Sequence, residues 1–190
     1  MVDREEFDRR LGKAHRTDER FALLGALLAK ESGLGDRLVI VGGSAITIYT
    51  SGEYVSGDFD VVGGKAKILP VLKRWGFGFD GRYWRRDDLG LAVEPGRTRY
   101  FGNVQRLSRF DTPAGPVRLA APEDLIVRRL VYAKGEHGVK SRKALDEAVL
   151  IWSRFEDSID RDYLDQEVRY ERVRAPFDEM IRRARITARA

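Results

Sequence analysis

The stretch from residue 38 to residue 63, LVIVGGSAITIYTSGEYVSGDFDVVG, constrains the chain more than any other. RLVIVGG and DFDVVG are short apolar runs rich in β-branched residues, the pattern of strands buried on both faces. Between them Gly42 and Gly43 turn the chain, and SAITIYTSG fits a short helix capped by Ser44. Strand, turn, helix and strand within 26 residues predict a small α/β unit.

The second run carries acids where acids are costly. Residues two apart on a strand point to one side, so Asp58 and Asp60 project together and Phe59 points to the opposite face. Two adjacent carboxylates repel, and one tends to hold a proton unless a cation relieves them. Mg²⁺ favours one or two carboxylates together with phosphate oxygens, and paired ions assist displacement at phosphorus. Gly42, Gly43 and Ser44 complement the acids. Glycine admits phosphate close to the backbone, a helix start offers free N–H groups, and the Ser44 hydroxyl adds a donor. The acids are thus expected to hold Mg²⁺ (or Mn²⁺), and the turn to hold a nucleoside triphosphate.

Around this unit, residues 18–31 have helical spacing and end at SGLGD. AKILPVLKRWGF reads as a helix that Pro70 kinks or starts. From Gly78 to Leu119 the period becomes that of strands, in FDGRYWRR, LGLAVEPG, NVQRLSRFDT and GPVRLA, with TPAG as a hairpin turn. Beyond it APEDLIVRRLVYAKG, VKSRKALDEAVLIWSRF and DRDYLDQEVRYERVRAPFDEMIRRARI read as helices, the last broken or bent at Pro176. The expected class is α/β (α+β): a small mixed sheet with an N-terminal helix over residues 1–120, and a helical C-terminal lobe over 121–190.

Bulk properties narrow the chemistry. The chain has 190 residues, 43% hydrophobic and 34% charged, enough for one core with a helical extension. It has no cysteine, which removes disulfides and thiolate metal sites, and two histidines, His15 and His137, which cannot make a His-rich zinc site alone. No apolar run reaches membrane-span length, and the first residues lack a signal peptide's apolar centre, so a cytoplasmic protein without a membrane partner is expected. The formal net charge of +5 permits a polyanionic partner.

The strand–GGS–helix–strand–DxD arrangement resembles the nucleotidyltransferase (polymerase β-like) superfamily, and within it the AbiEii-like toxin nucleotidyltransferase group. The family pattern is an apolar strand, Gly-Gly-Ser/Thr-Ala, a short helix, then Ser/Thr-x-Asp-x-Asp. Ser56 occupies the place before the acids, and thirteen residues separate Ser44 from Asp58, near the AbiEii-like spacing. The likeness continues into VRLAAPEDLIVRRL and SRKALDEAVLI, spanning roughly residues 38–152. It implies a third carboxylate on a nearby strand, for which Glu94 in LGLAVEPG is the choice, with Asp87 and Asp88 in RRDDLG as competitors. It also implies nucleotide contacts from Ser56, Arg129 and Lys143. Acceptors would be tRNA or other RNA, or a protein side chain, in a toxin–antitoxin setting with a cognate antitoxin protein.

Two positions depart from the family pattern. Arg129 stands where relatives often carry lysine, and Ala144 replaces the first acid of a Lys-Asp-Leu-x-Asp segment, while Lys143 and Glu147 remain. These departures keep open a rival, a non-catalytic nucleotide- or RNA-binding or antitoxin-like member of the same fold. Other matches are weaker. GFGFDG satisfies G-x-G-x-x-G but follows a helix and reads as a turn, GEHGVKS lacks Walker spacing, and His137 is expected to be exposed. The arginine-interleaved aromatics of GRYWRRDD and RTRYFGN suit base stacking or core packing. The RRARITARA end suits RNA contact or a frayed helix.

Overall fold

The computed structural model of the chain describes residues 1–96, 99–135 and 137–187. The chain divides into two compact units, Met1–Ala120 and Ala121–Ala190. Arg97 and Thr98 of the RTRYFGN stretch, Glu136 beside His137, and the last three residues of the RRARITARA end lie outside the described residues.

The first unit is built on a seven-stranded mixed sheet. Its elements run α1 (Arg4–Leu11), α2 (Thr17–Glu31), β1 (Val39–Ile40), α3 (Gly42–Tyr49), β2 (Phe59–Val62), α4 (Lys65–Arg74), β3 (Gly78–Phe79), β4 (Trp84–Arg86), β5 (Leu91–Pro95), β6 (Ser108–Thr112) and β7 (Gly115–Leu119). The strand order is β3-β4-β5-β2-β1-β7-β6. The two apolar runs, β1 and β2, are antiparallel neighbours, with Val39 opposite Val62. Each then takes a parallel partner from far along the chain: β1 pairs with β7 and β2 with β5. Being central explains their apolar character, since Val39, Ile40, Phe59, Val61 and Val62 are all buried.

Several expectations need correction. The helix α1 is absent from the sequence reading. Asp3 caps it by accepting from the Glu6 N–H at 2.9 Å. Its Phe7 ring stacks on Trp75 with centroids 4.3 Å apart, and the Trp75 indole N–H donates to Val2 O at 3.0 Å. GFGFDG is not wholly a turn, because Gly78–Phe79 forms β3 and pairs with β4. Pro70 lies inside α4 rather than at its start. The TPAG turn is present: Thr112 and Gly115 are paired residues closing the β6–β7 hairpin.

The second unit contains α5 (Pro122–Gly135), α6 (Val139–Phe155), α7 (Arg161–Tyr170) and α8 (Arg174–Thr187). Leu125, Ile126, Leu130, Ala148, Ile151, Leu164, Val168 and Met180 are buried. Polar ties fix the start of α7. Asp160 caps it by accepting from Tyr163 N–H, the Asp160 N–H donates to Glu123 at 2.9 Å, and the Tyr163 hydroxyl donates to Asp124 at 2.6 Å. The break expected at Pro176 occurs earlier. Arg172 takes a left-handed conformation at φ 57° between α7 and α8, and Pro176 sits in the first turn of α8, where a missing N–H costs nothing.

Candidate active site

The β2–β5 pairing positions the acids. Phe59 lies opposite Val93 and Asp60 opposite Glu94 in parallel register. Side chains of paired residues share a face, so Glu94 joins Asp60, and Asp58, two residues before it, joins them both. The three carboxylates each offer an oxygen within 4.8 Å of the others, and all three residues are half-buried. Phe59 points the opposite way and is fully buried, meeting Phe21 at a centroid distance of 5.4 Å. The competing acids lie elsewhere: Asp87 pairs with Arg85 and Asp88 with Arg86.

The glycine turn lies against these acids. Gly42 has φ +59°, and a Cβ there would fall 2.2 Å from Asp60 Oδ2. A Cβ on Gly43 would fall 2.4 Å from Ser56 Oγ. Both positions therefore require glycine, for conformation at the first and for space at both. Ser44 does not cap α3: the helix begins at Gly42, with Val41 at its N-cap and no side-chain hydrogen bond from that residue. The first N–H groups of a helix point outward without intrahelical partners, so α3 presents its positive end beside the carboxylates.

Ser44 is fully buried. Its hydroxyl donates to Asp58 O at 2.9 Å and accepts from the Asp60 N–H at 2.7 Å. It thus stitches α3 to the backbone on both sides of Phe59, a use different from a direct phosphate contact. Ser56 donates to Asp58 Oδ1 at 3.1 Å, and its own N–H donates to Thr47 Oγ1 at 2.9 Å. Thr47 in turn donates to Gly43 O at 3.0 Å. Gly43, Thr47, Ser56 and Asp58 form one hydrogen-bonded chain that orients the first acid.

Two neighbours of the cluster were missed as site residues. Arg82 places its guanidinium 3.8 Å from Glu94 and 4.7 Å from the Tyr83 ring centroid. Burial, then the Asp58 charge, pushes the Tyr83 phenol above its usual range. Asp80 holds the turn that carries both, accepting from the N–H groups of Arg82 at 2.9 Å and Tyr83 at 2.7 Å. The signal was present in the arginine-interleaved aromatics of GRYWRRDD, but the strand pairing that brings them to Glu94 is not encoded locally.

Arg129 and Lys143 both lie in the helical unit, and both stand on Glu147. Arg129 Nε is 2.7 Å from it, an ion pair without hydrogen-bond geometry, and Lys143 Nζ is 3.7 Å away. Ala144 is buried, and His15 and His137 are both exposed. No helix among the described residues is long and apolar enough to cross a membrane.

The donor set fits a divalent cation. Three carboxylate oxygens within 4.8 Å match the hard-oxygen ligands that Mg²⁺ and Mn²⁺ take, and the Gly42 cradle keeps the approach to Asp60 open. No family model matches the chain, and no curated protein matches its sequence. Among solved structures, the chain is similar to an antigenic nucleotidyltransferase-like protein from Paracoccidioides brasiliensis, with a TM-score of 0.54 and 14% identity over 84% of this chain and 90% of that one. The mixed α/β fold is therefore nucleotidyltransferase-like, a likeness of architecture at this level of identity.

Proposed function

We infer that the chain is a divalent-metal-dependent nucleotidyltransferase: an acceptor hydroxyl loses its proton and bonds to the α-phosphorus of a nucleoside triphosphate, the α–β phosphoanhydride bond breaks, and pyrophosphate leaves. The observation that carries this reading is the meeting of Asp58, Asp60 and Glu94 beside the N-terminus of α3. Asp58 and Asp60 would hold the cation, with Glu94 completing the set. A bound Mg²⁺ or Mn²⁺ supplies charge neutralisation at phosphate and activation of the attacking oxygen. Gly42 and Gly43 give the triphosphate close access to the backbone N–H groups of α3. Ser44 and Ser56 hold the acids in place. Glu147 competes with phosphate for Arg129 and Lys143, which tempers the direct nucleotide role expected of them.

The AbiEii-like spacing supports assignment to the toxin group. In that setting the acceptor is a tRNA or other RNA, or a protein side chain, and a cognate antitoxin protein is the partner. The test is incubation with α-labelled nucleoside triphosphates, Mg²⁺ and total RNA or cell protein. Label should move to one acceptor class with the wild type and to none with Asp58→Asn, Asp60→Asn or Glu94→Gln. Equal labelling by wild type and all three variants would remove the carboxylates from the reaction. Tight nucleotide binding with no transfer would favour the non-catalytic rival.

A further inference from the structure

The positive charge of this chain is concentrated. Residues 128–143 hold six of its 35 lysines and arginines and one of its 30 acids, so the rest of the chain carries 29 bases and 29 acids. The formal net charge of +5 therefore resides in these sixteen residues. The described residues among them lie at the end of α5 and at the start of α6, tied together by the Ser141 hydroxyl donating to Ala133 O at 2.9 Å.

An aromatic ring stands within this charge. Tyr132 remains 43% exposed, although the Arg128 guanidinium lies 4.8 Å from its ring centroid and that of Arg129 lies 5.9 Å away. Lys134, Lys140, Arg142 and Lys143 are exposed along the same helix–turn–helix end. The nearest acids on α6 have partners: Glu147 receives Arg129 and Lys143, and Asp146 receives Arg183 at 3.0 Å. The surface thus combines concentrated cations with an exposed aromatic, the pairing that tracks a phosphate backbone while stacking a base.

We propose that the α5–α6 end is a binding surface for single-stranded RNA, with Tyr132 stacking a base and Arg128, Lys134, Lys140 and Arg142 neutralising the adjacent phosphates. This deepens the nucleotidyltransferase reading by naming the acceptor class. It is measured by binding alone, so failure of transfer and failure of this surface are separate results.

The experiment is fluorescence anisotropy of a labelled single-stranded RNA of about 12 nucleotides, a length within ordinary single-strand site sizes, titrated across salt concentrations. Tyr132→Ala should weaken binding about tenfold. Lys140→Gln with Arg142→Gln should lower the slope of log affinity against log salt by ~1.4, the effect of two lost phosphate contacts. Circular dichroism and Mn²⁺–nucleotide binding should match the wild type in each variant. Wild-type RNA affinity in both variants would overturn the proposal. So would binding to anionic lipid vesicles without binding to RNA. Loss through the charge variant with no change in Tyr132→Ala would overturn the stacking role.

Discussion

Asp60 and Glu94 face each other across the parallel pairing of β2 and β5, although 33 residues of chain lie between them. Their side chains meet because of register, and a one-residue slip would send Glu94 to the opposite face. The acids therefore depend on the sheet more than on the loops around them. Without a cation they repel, which is the basis of the first prediction.

Asp60→Asn should fold at least as stably as the wild type in the absence of metal, since one of three clustered charges is removed. It should lose Mn²⁺ binding and reduce transfer by about a thousandfold, the several kcal/mol that metal-assisted charge stabilisation supplies. Calorimetric titration with Mn²⁺ and thermal melting in chelator measure the two effects separately. A marked loss of metal-free stability would show that Asp60 is chiefly structural.

Gly42→Ala meets both a left-handed backbone and Asp60 Oδ2 at 2.2 Å. The conformation alone costs about 1–2 kcal/mol, and the displaced carboxylate should weaken metal binding as well. Gly57→Ala is the control, because an added Cβ there meets nothing within 4 Å. Denaturant midpoints for the two variants should differ clearly, with Gly57→Ala near wild type.

Ser44→Ala removes one donor and one acceptor from a fully buried position. The Asp60 N–H and the Asp58 carbonyl each lose a partner, a loss of roughly 1–3 kcal/mol. Hydrogen exchange at Asp60 should accelerate in the variant. Unchanged exchange and stability would mean that Ser44 is not what holds α3 to β2.

Arg86 is 3% exposed, yet it is charged. It reaches Asp8 at 2.9 Å and Asp88 at 2.7 Å, and also donates to Trp75 O. Arg86→Met should cost about 1–3 kcal/mol, because it takes this donor from the buried Trp75 carbonyl, while Asp8 and Asp88 are partly or well exposed and can turn to water. The Arg86 hydrogen bonds hold the Asp88 carboxyl at about 2, below its usual 3.8. A folded value below the unfolded one stabilises the protein above pH 4, and this contribution is lost as pH falls towards 2. Asp88→Asn should flatten the stability curve over that window in urea titrations.

What the sequence disclosed follows physical range. β1 and β2 were legible as continuous β-branched runs, and the helices of the second unit were legible as helical segments, although the break between α7 and α8 falls before Pro176 rather than at it. The helix α1 was not legible, since REEFDRRL shows just Phe7 and Leu11 as its apolar pair. β3 was legible only as part of the single strand run FDGRYWRR, since its two residues are exposed and nothing local separates them from β4, with which they pair across a turn. The cap of α3 was misplaced by three residues, at Ser44 instead of Val41, because a left-handed glycine lets the backbone enter a helix directly from a strand. Asp58 and Asp60 could be paired by the two-residue repeat. Arg82 and Tyr83 reach the acids through hairpin pairing and an Asp80 turn, which no local pattern announces.

The placement of β1 also bears on how the polypeptide assembles during synthesis. Its parallel neighbour is completed only at Leu119, 79 residues after Ile40, whereas all three acids have been made by residue 94. An emerging nascent chain therefore holds the full carboxylate set while one side of β1 still lacks its strand. The non-local closure by β7 carries a large loop-closure entropy, and until it occurs an apolar strand edge stays open to wrong partners.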